Sequence, residues 1–250
     1  MNNDNNYEWA HKPAFVENQT GVVAKKFFAN VFLWMFIALG LSTLSAYVMA
    51  DNAELFSILR NPETLKPTVL GYVAMFAPLG LVLLMSAGMS KLSYGALLAT
   101  FVGYSVLTGL SLSFILLLYN TSSVLSCFAG AAGIFGIMAV LGYTTNVDLT
   151  KFGPILMVGV VGLIIASVVN MFIQSENFSL FMAFIGIAIF TALTAYDVQK
   201  LKRIGEGIEE SGATIEDADT KKLAIMGALS LYLDFLNIFL FLLRIFGGRR

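Results

Sequence analysis

Polar and reactive residues are scarce in this chain. One histidine and one cysteine occur in 250 residues, and charged residues make up only 12%. A soluble domain carries about 25% charged residues, so this chain cannot cover a globule with polar surface. The lone histidine, His11, stands in a polar tail, which excludes a histidine-containing triad or a His/Cys metal cluster within the apolar segments. The lone cysteine, Cys127, excludes an intramolecular disulfide, and its apolar surroundings read as plain packing. No P-loop is present, and Gly205-Glu206-Gly207 lacks the rest of a dinucleotide fingerprint. A net charge of −1 without a basic block excludes a nucleic-acid partner. The inventory holds no enzyme and calls for no resident cofactor.

What the chain does have is apolar length. Hydrophobic residues reach 58%, and a spanning helix needs about 20 of them in succession. Six runs reach that length, or nearly, without any Asp, Glu, Lys or Arg: Phe27–Met49, Thr68–Met89, Leu92–Tyr119, Val124–Tyr143, Phe152–Ile173 and Phe178–Tyr196. A seventh, Leu223–Leu243, is broken only by Asp234. Strands of a membrane barrel are about half as long and alternate, so a barrel is excluded. The expectation is an all-α polytopic membrane protein, a seven-transmembrane-helix bundle. Its spans are placed at about 27–49, 68–89, 92–119, 124–143, 152–173, 178–198 and 223–245, behind a polar tail of residues 1–26. That tail does not resemble a cleavable signal peptide.

Basic residues set the expected orientation. With seven spans, ten fall on the N-terminal side: Lys12, Lys25, Lys26, Lys91, Lys151, Lys200, Lys202, Arg203, Lys221 and Lys222. Five fall on the other: Arg60, Lys66, Arg244, Arg249 and Arg250. This ratio predicts a cytoplasmic N-terminus. Ala129/Gly133 and Ala132/Gly136 in the fourth span, with Gly159 and Gly162 in the fifth, predict close helix packing. Val198, Leu201, Ile204 and Ile208 recur at helical spacing, so the sixth helix is expected to run on past the apolar zone.

A carboxylate in the middle of a span costs roughly 2.5–3.5 kcal/mol on insertion scales, so Asp234 needs a partner or a task. The other candidate is Asp197, in TALTAYDVQKLK at the end of the sixth span. An aspartyl intramembrane protease would place a glycine directly before such an aspartate, and neither position has one. Structural glue is the plain alternative, with Asn170, Thr191 and Asn237 as further polar groups.

TALTAYDVQKLK followed by ALSLYLDFLNIFLFLLRIFGG resembles the Bax inhibitor family, in its bacterial type, through Thr194, Tyr196, Asp197, Leu231, Tyr232, Asp234, Asn237 and Phe239. The resemblance implies a seven-helix bundle conducting a pH-sensitive calcium leak in the bacterial inner membrane. It makes Asp197 and Asp234 a hydrogen-bonded pH-sensing pair and transient calcium ligands. Thr194, Tyr196, Tyr232, Asn237 and Asn170 are then supporting polar groups, and calcium is the permeant ion. The physical logic is that two carboxyls in contact in a low-dielectric site cannot both ionise easily, so they share a proton. Some members bond an arginine at the end of the second span to the sixth-span aspartate. Here that stretch reads LLMSAGMSKL, without arginine. The alternative function is a membrane-embedded regulator whose N-terminal tail grasps a membrane protease, another membrane protein or a cell-death factor.

Overall fold

A computed structural model describes residues 21–248. His11 and most of the polar tail, with Arg249 and Arg250, lie outside the described residues. Among the described residues eight helices follow one another: α1 (Val22–Asp51), α2 (Ala53–Leu59), α3 (Val69–Gly88), α4 (Tyr94–Leu118), α5 (Thr121–Thr144), α6 (Gly153–Ile173), α7 (Glu176–Glu210) and α8 (Ala218–Phe246), with a 3-10 turn at Leu149–Phe152 before α6. Seven are long and apolar enough to cross a membrane, and α2 is the short exception. No strand occurs among the described residues. The protein is an all-α, multi-pass membrane bundle.

The helix ends follow local chemistry. The side chains of Asn52, Thr68, Ser93 and Ser175 accept backbone N–H bonds at the starts of α2, α3, α4 and α7, which satisfies donors that the helices themselves leave open. α1 starts differently. Its first flanking residue is Gly21, in the left-handed region at φ +95°, and it has no side chain to offer. The Glu209 carboxylate, at the end of α7, instead receives the Gly21 N–H and, at 3.3 Å, the Ala24 N–H. A negative charge at a helix N-terminus is favourable, so this contact ties the two elements together.

α8 is the central post. Of its most apolar window 61% is buried, against 6% for α6, and only a helix surrounded by protein reaches such a share. Around it stand α1, α4, α5 and α7, while α3 packs on α4 and α6 packs on α7. Lipid-facing side chains cover the outside, among them Ile155, Val158, Ile164 and Phe172 of α6. The core runs along α8 through Ile225, Leu231, Tyr232 and Ile238, and Cys127 is packed within it.

Close backbone approach occurs at glycines other than those expected. A Cβ at Gly142 would strike the Ala195 backbone, and one at Gly109 would strike the Ser42 backbone. At Gly133, Gly136 and Gly162 a Cβ would meet open space; Gly159 alone of the anticipated set packs, against the Ile189 side chain. Because backbone cannot rotate out of the way, Gly142→Leu is expected to destabilise the protein by roughly 1–3 kcal/mol or more. Thermal unfolding in detergent measures this, and an unchanged midpoint would contradict the α5–α7 contact.

Candidate functional site

The site is built on the hairpin of α7 and α8. Asp197 lies thirteen residues before the end of α7, and Asp234 sixteen residues after the start of α8. At 1.5 Å per residue they stand roughly 20 Å and roughly 24 Å from the hairpin tip. That near-level placement is possible because both helices overrun the apolar zone. α7 continues to Glu210, burying Val198, Leu201 and Ile208, and α8 already begins at Ala218. The basic residues Lys200, Lys202, Arg203, Lys221 and Lys222 therefore ride on helix rather than on loop.

Asp234 is 4% exposed, and its Oδ2 is buried without a hydrogen-bond partner among the described residues. Asp197, half-buried on α7, is the ionisable neighbour whose charge acts on it. The Ser230 hydroxyl, one turn from Asp234 on the same face of α8, lies beside the Asp197 carboxylate. Lys200 is a cation whose charge acts on Asp197. Lys91, in the turn after α3, is exposed and has no carboxylate partner among the described residues. An ionised carboxylate buried without donors is strongly disfavoured. A protonated one can donate to a neighbouring carboxylate, and Asp197 is the neighbour present.

The remaining candidates divide. Tyr232 is fully buried on another face of α8, with its hydroxyl 2.8 Å from Ser42 Oγ. Ser42 Oγ in turn donates to the Ser105 carbonyl at 2.7 Å, so Tyr232 ties α8 to both α1 and α4. Its ring meets that of Tyr104 edge-on at 5.3 Å. Thr194 is buried but bonds the Phe190 carbonyl of its own helix, and Asn237 bonds the Leu233 carbonyl of its own. Tyr196 packs against Gly153 at the start of α6. Asn170 accepts the Ser175 N–H in the α6–α7 turn, roughly 30 Å of helix away from Asp197. The structure thus sets Ser230 beside Asp197, and Asp197 close enough for its charge to act on Asp234. Thr194 and Asn237, one turn from the two aspartates, bond their own helices, and Tyr196, Tyr232 and Asn170 lie at other contacts. Among the described residues no three His, Cys, Asp or Glu side chains converge.

A cavity of about 420 Å³ opens between α1, α4, α5 and α8 on the side away from the hairpin tip, with Asp51 among its lining residues. It reaches inward to Ser42 and Tyr232. Tyr232 is two residues from Asp234, about 3 Å along the axis, but turned about 200° around it. The cavity therefore attains the depth of the carboxyl pair behind another face of α8.

On the opposite side, residues that sequence reasoning missed tie α7 to the α5–α6 linker. Gln199, buried, receives the Leu149 N–H on Oε1 at 2.8 Å and donates Nε2 to the Val147 carbonyl at 2.7 Å. Lys202 donates to the Tyr143 carbonyl at 3.1 Å, and Arg203 pairs with Asp148 at 2.8 Å. Three side chains of α7 thus grip residues 143–149, from the end of α5 to the turn before α6. The Thr150 hydroxyl and N–H, then the Arg203 guanidinium, hold the Asp148 carboxyl down to about 2. A depressed value means that this contact is complete above the ordinary carboxylate range near 4 and is lost only as pH falls through about 2. The strap is therefore indifferent to pH near neutrality. Asp148→Asn is accordingly expected to leave any pH response between about 5 and about 8 unchanged, because this exposed pair stays charged throughout. A shifted flux–pH curve would show the contrary.

Comparison with known proteins follows the same outline. The family model described as "Inhibitor of apoptosis-promoting Bax1" matches residues 24–250. The inner membrane protein YbhL of Escherichia coli strain K12 is 42% identical over 90% of this chain and 92% of its own length. An uncharacterized protein of Borreliella burgdorferi is 39% identical over 94% of this chain and 97% of its own length. An uncharacterized membrane protein of Streptococcus pyogenes serotype M6 is 33% identical over 93% and 96%.

Proposed function

Because the chain belongs to the Bax inhibitor family, we propose that it is a pH-sensitive cation leak of a bacterial inner membrane, with Asp197 and Asp234 as the proton-sharing gate and calcium as the permeant ion. The observation that carries this reading is Asp234 Oδ2, buried without a donor and facing the field of Asp197. With one proton between them, the pair holds α7 against α8 at the level where the cavity ends. With both ionised, like charges repel, and four carboxylate oxygens of the kind that calcium prefers become available. Thr191, on α7 beside α8, buries a hydroxyl without a partner among the described residues, and a polar atom there suits a hydrated path.

The cation meets the pair, not a resident metal site; two carboxylates fall short of the six to eight oxygens of a tight calcium site, as passage rather than storage requires. The cytoplasmic N-terminus implied by the basic residues makes the strapped end the inner one and the cavity the outer vestibule. Calcium flux into liposomes containing the full chain, measured between about pH 5 and about pH 8, tests this. Flux should rise with pH. Flux that is absent throughout, or indifferent to pH in wild type, would refute the reading.

A further inference from the structure

α1 and α5 meet through rings rather than backbones: Phe28 lies 5.0 Å from Tyr143, and Phe32 lies 6.4 Å from Phe135. Beside these rings, a groove of about 470 Å³ runs along the two helices, almost wholly apolar, floored by Gly136 and Ala139. A Cβ at Gly136 would touch nothing. The small residues of α5 thus leave room at this face instead of admitting a helix of this bundle.

One end of the groove is basic. At Tyr143, the Lys202 ammonium lies 5.0 Å over the ring and spends one of its three donors on the Tyr143 carbonyl. Lys25 stands one turn before Phe28 on the same face of α1, exposed, with Lys26 next to it. None of the three lysines has a carboxylate partner among the described residues. Of the carboxylates at this end, Asp148 is held by Arg203 and Glu209 by the start of α1, while exposed Glu206, one turn after Lys202 on α7, forms no ion pair with it.

We propose that the α1–α5 groove seats one anionic phospholipid, with an acyl chain along Phe32, Phe135, Gly136 and Ala139 and the phosphate between Lys202 and Lys25. The groove opens toward the region that lipid occupies, and its length of apolar wall ends at cations where a headgroup would stand. A zwitterionic lipid fits the apolar part equally but brings its own cation to the lysines. The headgroup charge, not the chain, is therefore what the site selects. This inference is independent of ion conduction, since neither Asp197 nor Asp234 lines the groove.

The test is native mass spectrometry of the full chain, freed of co-purified lipid, with added dioleoyl phosphatidylglycerol or dioleoyl phosphatidylcholine. Wild type is expected to retain the anionic lipid preferentially. K202Q should lower that preference about fivefold, and K25Q with K202Q should lower it about 25-fold, since each lysine near an anionic headgroup contributes about fivefold. G136L, which has space for its side chain and gains helix propensity, should weaken both lipids without altering their ratio. Equal retention of the two lipids by wild type would overturn the proposal, as would binding untouched by G136L. A dimer of the lipid-free protein that G136L breaks would make the groove a contact between copies and overturn it as well.

Discussion

Asp234→Asn is expected to flatten the pH response of the leak and to hold flux at the low level that wild type shows in acid. Asparagine keeps the size of the side chain and can donate its amide to the Asp197 carboxylate, so the α7–α8 seam stays filled. What it removes is the second ionisation. Under the proposed function the closed form carries one proton more than the open form, so raising the pH would draw the equilibrium toward the open form. Two like charges in contact repel by a few kcal/mol at an effective dielectric of about 20, enough to move an equilibrium by about a hundredfold. Without the second charge that drive is gone. Asp197→Asn should act alike, because the proton belongs to the pair and not to one residue. Flux in liposomes at about pH 8, where the expected difference from wild type is greatest, reads the effect. If Asp234→Asn still opens with rising pH, or if each single variant gives a different profile, the shared proton is wrong. Asp234 would then be a structural bond between helices.

The bundle was legible because about 20 apolar residues in a row admit few other readings in this composition. The limits of its helices were not. Hydropathy stops at the first charge, whereas a backbone continues for as long as its hydrogen bonds do. α1 therefore carries Lys25 and Lys26 inside its first turns, and α7 carries Lys200, Lys202 and Arg203. α2 escaped notice because seven residues of AELFSIL lie within a polar break too short to suggest a span. Small residues were visible as a stripe on α5, but a stripe cannot say what lies opposite. Gly142, the glycine of that helix that needs its missing Cβ, lies ten residues from Ala132, while Gly136 fronts a groove.

Motif and cost together picked out Asp197 and Asp234 as candidates. Their neighbours were less legible. Tyr196 and Asp197 adjoin in sequence, yet one packs on Gly153 and the other acts on Asp234, as successive helical positions turned by about 100° must. Ser230 gave no signal beyond being one turn before Asp234. Gln199 stood in the same quoted stretch, and its one signal was chemical: an uncharged side chain able to donate and accept, placed where the apolar span ends. Nothing local announces that the loop from Thr145 to Asp148 will fold back to meet it.

That loop supplies the second large effect. Gln199→Leu is expected to raise flux in acid, where wild type is closed, by about tenfold, while the rise with pH persists. The buried amide satisfies a backbone donor and a backbone acceptor at once, at 2.8 and 2.7 Å. Each such bond contributes about 1 kcal/mol net, and a buried backbone group left unmet costs about 1–3 kcal/mol. Leucine fills similar space but leaves both backbone groups open, so the α5–α6 linker gains by moving away to water. Arg203–Asp148 cannot hold it alone, since side chains 46% and 41% exposed form a weak pair. Under the proposed function the strap and the carboxyl pair would act on the same closed state through different chemistry, and their effects should be separable. Gln199→Leu shifts the level of the flux–pH curve; Asp234→Asn removes its slope. The double variant should be leaky and flat. A Gln199→Leu protein that unfolds at lower temperature but leaks no more in acid than wild type would show that the strap supports the fold without closing the path. A flat response in Gln199→Leu alone would mean that the strap, not the carboxyl pair, senses the proton.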